Sequence, residues 1–176
     1  QDLIGLITFA RYSDTVCPLV HGHNVLLEFL AKTEHVVPNS NEDGTAIGDA
    51  LSLAGARLKK AEEEIVARNR KLRKEAQQSD EKQDDEFKIK SKVIVLLTDG
   101  VNNAGEYNPL QAAQLAKEWG IKVYTIGIAS AVNRRDIFGM MRGGGVDERL
   151  LKQIAQTTGG FYARASSGED LVQIYE

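Results

Sequence analysis

Residues 93–105 read VIVLLTDGVNNAG: five aliphatic side chains in succession, then a threonine, an aspartate and a glycine. A short apolar run with no polar alternation is the pattern of a strand buried on both faces of a parallel sheet. The segments downstream repeat the theme. Asn108 as cap and Pro109 in the first turn signal a helix, Gly120 signals its end, and IKVYTIGIA (121–129) supplies a second strand at once. A helix over about 147–158 closes at Gly159 and Gly160, and a short strand FYARA (161–165) follows. Ser167 with Asp170 then forms a capping-box-like start for a last helix over 171–175. Strands that alternate with helices in this way imply right-handed crossovers and a parallel sheet.

Upstream, residues 3–9 form another nearly continuous apolar run and read as a second interior strand. TVCPLV (15–20) is different, because Pro18 cannot donate to a ladder; it reads as an edge strand paired back through the turn RYSD (11–14). Residues 24–34 read as a helix. Beyond the polar loop PNSNEDG (38–44), Ile47, Leu51, Ala54, Leu58, Ala61, Ile65 and Leu72 keep the three-and-four spacing of one long helix. Residues 59–91 are a charged helix extension and loop insertion. They read either as solvated surface or as a narrow seam, through Leu58, Ala61, Ile65 and Leu72, for a partner helix; Arg68 interrupts that seam. The expected fold class is therefore α/β: a doubly wound, mostly parallel sheet with helices on both faces and one antiparallel edge strand.

Composition narrows the functions. A chain of 176 residues with 42% hydrophobic side chains fits one domain with a sizeable core. Its 22 basic and 25 acidic residues give a net charge of -3, which argues against a nucleic-acid binder. The single cysteine, Cys17, excludes an intrachain disulfide and a Cys-rich zinc site, and its apolar surroundings predict a small buried side chain. The longest apolar runs fall far short of the roughly 20 residues that span a bilayer. His21, His23 and His35 have no partners at metal-ligand spacing. Neither a nucleophile elbow nor a phosphate-binding glycine loop follows any strand; RGGG (142–145) follows a loop.

Two polar positions stand out. In an open α/β sheet ligands bind beyond the carboxyl ends of the strands, where Asp99 sits. An aspartate there serves either as a ligand or as a turn former through its own side-chain hydrogen bonds. In NEDGTAIGDA (41–50), an aspartyl-phosphate motif would need an acid where Asn41 stands, and no buried strand precedes it. Thr45 opens the long helix, where its hydroxyl can cap backbone amides or coordinate a hard cation.

Taken together, DLIGLITFA with its edge hairpin, GTAIGDAL, SKVIVLLTDGVNNAG, NPLQAAQLAKEWGIKVYTIGI, VDERLLKQIAQTTGGFYARA and EDLVQIY resemble, in order and spacing, a von Willebrand factor type A domain. More narrowly the chain resembles the bacterial BatA-type (aerotolerance) branch of membrane-anchored proteins. The likeness covers nearly everything except 59–91 and 130–146. It implies a non-enzymatic protein-interaction module with a metal-ion-dependent adhesion site that takes Mg²⁺, or alternatively Mn²⁺ or Ca²⁺. An acidic side chain of a protein partner completes the coordination. Of the family's three metal-binding loops, the second-loop threonine matches Thr45 and the third-loop aspartate matches Asp99. The Asp-x-Ser-x-Ser of the first, central strand has no match.

The resemblance thus implies an N-terminally truncated domain over 1–176, with that strand and the following helix upstream of Gln1. Metal affinity would be weak or absent in this fragment, and the strands at 3–9 and 93–97 would each expose an unpaired edge. Gly100 and Asn102, beside Asp99, and Phe138, Met140 and Met141, on the loop VNRRDIFGMMRGGG (132–145), are candidate partner contacts. The alternative is a metal-independent scaffold domain of a membrane-anchored complex. The expected location is periplasmic, anchored to a bacterial inner membrane by segments outside these residues.

Overall fold

A computed structural model describes residues 2–79, 89–128 and 145–175. Its strands fall into two groups. β1 (Ile4–Phe9) and β2 (Ser13–Val20) form an antiparallel pair, with Phe9 opposite Ser13 and Ile4 opposite Val20. The register slips between Ile4 and Leu6, across from the stretch that holds Pro18, the residue with no N–H to give. β3 (Lys92–Thr98), β4 (Ile121–Ile128) and β5 (Tyr162–Ala165) form a three-stranded sheet in the order β3-β4-β5, parallel throughout. Among the described residues β1 pairs only with β2, and β3 only with β4.

Five helices are described: α1 (His23–Ala31), α2 (Ile47–Ser79), α3 (Pro109–Glu118), α4 (Glu148–Thr158) and α5 (Gly168–Tyr175). Several start and stop where side-chain chemistry dictates. Asn108 accepts from the amides of Leu110 and Gln111 to cap α3, with Pro109 at its first position. Asp147 caps α4 through the Leu150 amide, and Gly159 ends it in the left-handed conformation, φ 74°. The reciprocal box at the start of α5 is present: the Asp170 amide donates to Ser167 Oγ, and Asp170 Oδ2 accepts from the Ser166 and Ser167 amides. That box starts the helix earlier than residue 171. α1 is shorter than the expected 24–34; it opens at Gly22, which has no side chain to cap with. α2 runs past its last apolar position, Leu72, supported on the charged part by the i,i+4 pairs Lys59–Glu63 and Lys60–Glu64.

The core lies between the three-stranded sheet and α2, α3 and α4. Ile47 and Leu51 from α2, Ala112, Ala113 and Ala116 from α3, and Leu151 and Ile154 from α4 meet Leu96 and Val123 of the sheet. The small side chains of α3 let it lie close against α2. Cys17 is buried, as its surroundings predict. β3 departs from the expectation of a strand buried on both faces. Leu96 is 4% exposed, but Val93 and Val95, pointing the other way, are each 39% exposed; Phe161, whose ring packs against Tyr124 of β4, is 49% exposed. The helices α2, α3 and α4 cover the first of these faces; among the described residues the second is open at Val93 and Val95 but closed at Ile126 of β4, which is 1% exposed. α2 touches both β1 and β3 and so ties the two groups of strands together.

Candidate metal and partner site

β1 and β3 run out at the same place. Just past β1, the Ala10 carbonyl accepts from the Ala46 amide at 2.8 Å; just past β3, the Asn103 and Ala104 amides donate to the Thr45 carbonyl at 3.1 and 3.4 Å. Residues 44–46 thus bridge the exits of the two strands. α2 begins here: the Ala46 carbonyl accepts from the Ala50 amide, so Ala46 holds the capping position and has no side-chain oxygen to fill it.

The missing cap comes from the loop after β3. Asn102 Oδ1 accepts from the Ile47 amide and Asn103 Oδ1 from the Thr45 amide, both at 2.8 Å. In return Asp49, in the first turn of α2, accepts through Oδ1 from the Glu106 and Tyr107 amides, both at 2.9 Å. The loop 101–107 can lie this close only because position 48 is glycine; a Cβ there would overlap the Tyr107 carbonyl.

The same packing brings Thr45 against Gly100, the residue that follows Asp99. A Cβ on Gly100 would stand 2.8 Å from Thr45 Oγ1, so the Thr45 hydroxyl lies against the residue that follows Asp99. Asp99 is exposed, whereas Thr98 beneath it is buried with Oγ1 accepting from the Gly100 amide. Thr45 Oγ1 itself has no hydrogen bond among the described residues; the first amide of α2, at Ile47, is held by Asn102, and Asn103 holds the Thr45 amide just before the helix. Of its two sequence-based roles, the cap is therefore filled by other side chains.

The donor set is one carboxylate and one hydroxyl, oxygen only, which suits a hard cation in kind. Two side-chain oxygens are fewer than such an ion takes, and among the described residues no three His, Cys, Asp or Glu side chains cluster as a softer metal would need. Gly100 lies inside the site; Asn102 directs its side-chain oxygen inward to α2. Phe138, Met140 and Met141 lie outside the described residues, as does most of the loop that carries them. Asn103 and Asp49 bond across the same gap as Asn102; they lie in SKVIVLLTDGVNNAG and GTAIGDAL, but nothing in those segments tells what their side chains hold.

The family model of the von Willebrand factor type A domain matches residues 1–176. The chain belongs to this family. Such type A domains are protein-interaction modules. The fold is shared with an aerotolerance-related membrane protein from Bacteroides fragilis, at a TM-score of 0.59 and 22% identity over 99% of this chain and 77% of that one. It is shared equally with the conserved hypothetical protein BatB from Bacteroides thetaiotaomicron, at 0.61 and 23% over 98% and 75%. Proximal thread matrix protein 1 from the mussel byssus, a structure with a zinc-occupied MIDAS motif, matches at 0.59 and 20% over 98% of this chain and 34% of that one. An uncharacterized protein of Borreliella burgdorferi is 27% identical over 170 residues; the type A domain covers 92% of its own length there and 41% of that relative. Among the described residues no helix is long and apolar enough to cross a membrane.

Proposed function

We propose that this type A domain binds a protein partner through a divalent cation held by Asp99 and Thr45. The observation that carries this reading is the freedom of the Thr45 hydroxyl. It stands at the mouth of a helix whose first amide is held by Asn102 from another loop, and it rests against Gly100, the residue after Asp99. Mg²⁺ is the favoured ion, with Mn²⁺ and Ca²⁺ as alternatives, since all take oxygen ligands. Bound there, the cation would supply a positive anchor for an acidic side chain of the partner. The opening of α2 carries partial positive charge that opposes a cation, so the Asp99 charge and a further anionic ligand have to outweigh it.

Two oxygens leave about four coordination positions to water and other groups, and affinity resting on Asp99 and Thr45 alone is weak. The Asp-x-Ser-x-Ser segment implied by the family, placed as a strand between β1 and β3, would pair both open edges and bring further oxygens to the same exit. The role we infer is binding rather than catalysis. Its setting is a bacterial inner-membrane protein whose type A domain faces the periplasm, a setting supported by the membrane protein of B. fragilis that shares the fold.

The test is a titration of the full-length protein with Mg²⁺ and Mn²⁺, followed by melting temperature. Expected is a rise in Tm that Asp99→Ala removes and Thr45→Val reduces; no metal-dependent shift in the wild type would sink the reading. One observation favours a second reading, a metal-independent scaffold: the open face of Val93, Val95 and Phe161. Partner capture that survives a chelator and fails after Val95→Lys would select the scaffold instead.

A further inference from the structure

We propose that Asn102 is a positioning residue that caps α2 from across the site, with Asn103 fixing the Thr45 backbone just before it, so that the Thr45 hydroxyl stays available to the cation. This rests on the metal reading above.

A threonine at the mouth of a helix ordinarily turns its hydroxyl back onto a nearby amide, because the first amides of a helix have no intrahelical acceptor. Ile47 makes the demand acute. It is 0% exposed, so water does not stand in, and an orphaned buried amide costs about as much as a lost hydrogen bond. Asn102 Oδ1 meets that demand at 2.8 Å, and Asn103 Oδ1 holds the Thr45 amide, one residue before the capping position, at the same distance. Only the carbonyl end of an asparagine can accept from an N–H, so the side-chain orientation is fixed by the chemistry. Both acceptors are neutral. They satisfy the amides without adding charge beside Asp99, whereas a capping carboxylate would compete with Asp99 for the cation. Asp49 secures the arrangement from the other side: by holding the Glu106 and Tyr107 amides it keeps the loop that carries both asparagines against α2.

Removing Asn102 therefore has a specific consequence. The Thr45 hydroxyl is two residues away from the Ile47 amide along the chain and becomes its replacement acceptor, which withdraws it from the cation. Two measurements test this on the full-length protein, with Mn²⁺ as the probe. In calorimetric titration, Asn102→Ala is expected to weaken Mn²⁺ binding by about 10- to 100-fold, the usual scale for a group that orients a metal ligand. Thr45→Ala should weaken it comparably, and the double variant no further than Thr45→Ala alone. Additive losses, or full affinity in Asn102→Ala, would overturn the proposal.

The second measurement needs no metal. Hydrogen exchange at the Ile47 amide should stay slow in Asn102→Ala, where Thr45 takes over, and become fast only in Asn102→Ala/Thr45→Ala. Equal exchange in the single and the double variant would also overturn it. Asn102→Asp, which keeps an acceptor oxygen and serves if the alanine variant does not fold, should retain slow exchange at Ile47; fast exchange counts against the proposal. If Asp99→Ala leaves Mn²⁺ binding unchanged, the metal reading itself fails, while the exchange data still decide who caps α2.

Discussion

Thr158 illustrates how one hydroxyl can finish a sheet. The β4–β5 ladder begins at Thr125 opposite Tyr162, which leaves the Val123 amide below the reach of β5. Thr158 Oγ1 accepts from that amide at 3.0 Å in a buried setting, and its own proton faces the carbonyls of Ala155 and Ile154 one turn back along α4. Thr158→Val keeps the shape and deletes the acceptor, so unfolding in urea should show a loss of about 1–3 kcal/mol at unchanged m value; Thr158→Ser should recover most of it. The same scale explains what could be foreseen at the site. Asp99 and Thr45 are visible from position alone, one at a strand exit and one at a helix mouth. The bonds of Asn102, which the sequence marks only as a candidate partner contact, and of Asn103 and Asp49 are not, because each reaches a residue 55 to 58 positions away and nothing in local spacing announces such a partner.

Helices and strands were largely legible because their signals are local: the period of α2, the Asn-Pro start of α3, the Asp147 cap and Gly159 stop of α4. What spacing could not show is where the charged part of α2 attaches. Lys92, at the start of β3, reaches Glu62 at 2.7 Å and pins the middle of the helix to the sheet. Of the seam residues, Leu58 packs against the core, Ala61, Ile65 and Leu72 are half-buried, and Arg68 is exposed. The Lys92 hydrogen bond holds the Glu62 carboxyl below the usual carboxylate range, partly opposed by desolvation, with the Lys92 and Lys59 charges adding to the lowering. A carboxyl lowered in the folded state stabilises the fold above its unfolded pKa, and that contribution is lost as pH falls through the folded pKa. Between roughly pH 5 and pH 3 the wild type should therefore lose more Tm than Glu62→Gln does, and added salt should narrow the difference.

For the whole molecule, the division between β1–β2 and β3–β4–β5 matters most. The fold class was readable from the alternation of strands and helices. The half-open face of β3 was not, since an apolar run looks the same whether its second face is covered or bare. Parallel strands direct their amides alternately to the two sides, and β3 has a neighbour on one side only among the described residues. Native-state exchange on this chain should therefore show alternating slow and fast amides along β3, in contrast to uniformly slow ones in the middle of β4. Uniform protection along β3 would show that its second edge is occupied in solution.

The bonds that shape the site also set when it can form. All four side-chain bonds between the α2 mouth and the loop after β3 close loops of 55 to 58 residues. Closing such loops costs entropy before it returns any contact, and high contact order slows folding. α2 can wind early from its own sequence; Thr45 and Gly100 come together only when β3 docks. The proposed site is therefore expected to form after α2 itself and to come apart when the two groups of strands separate.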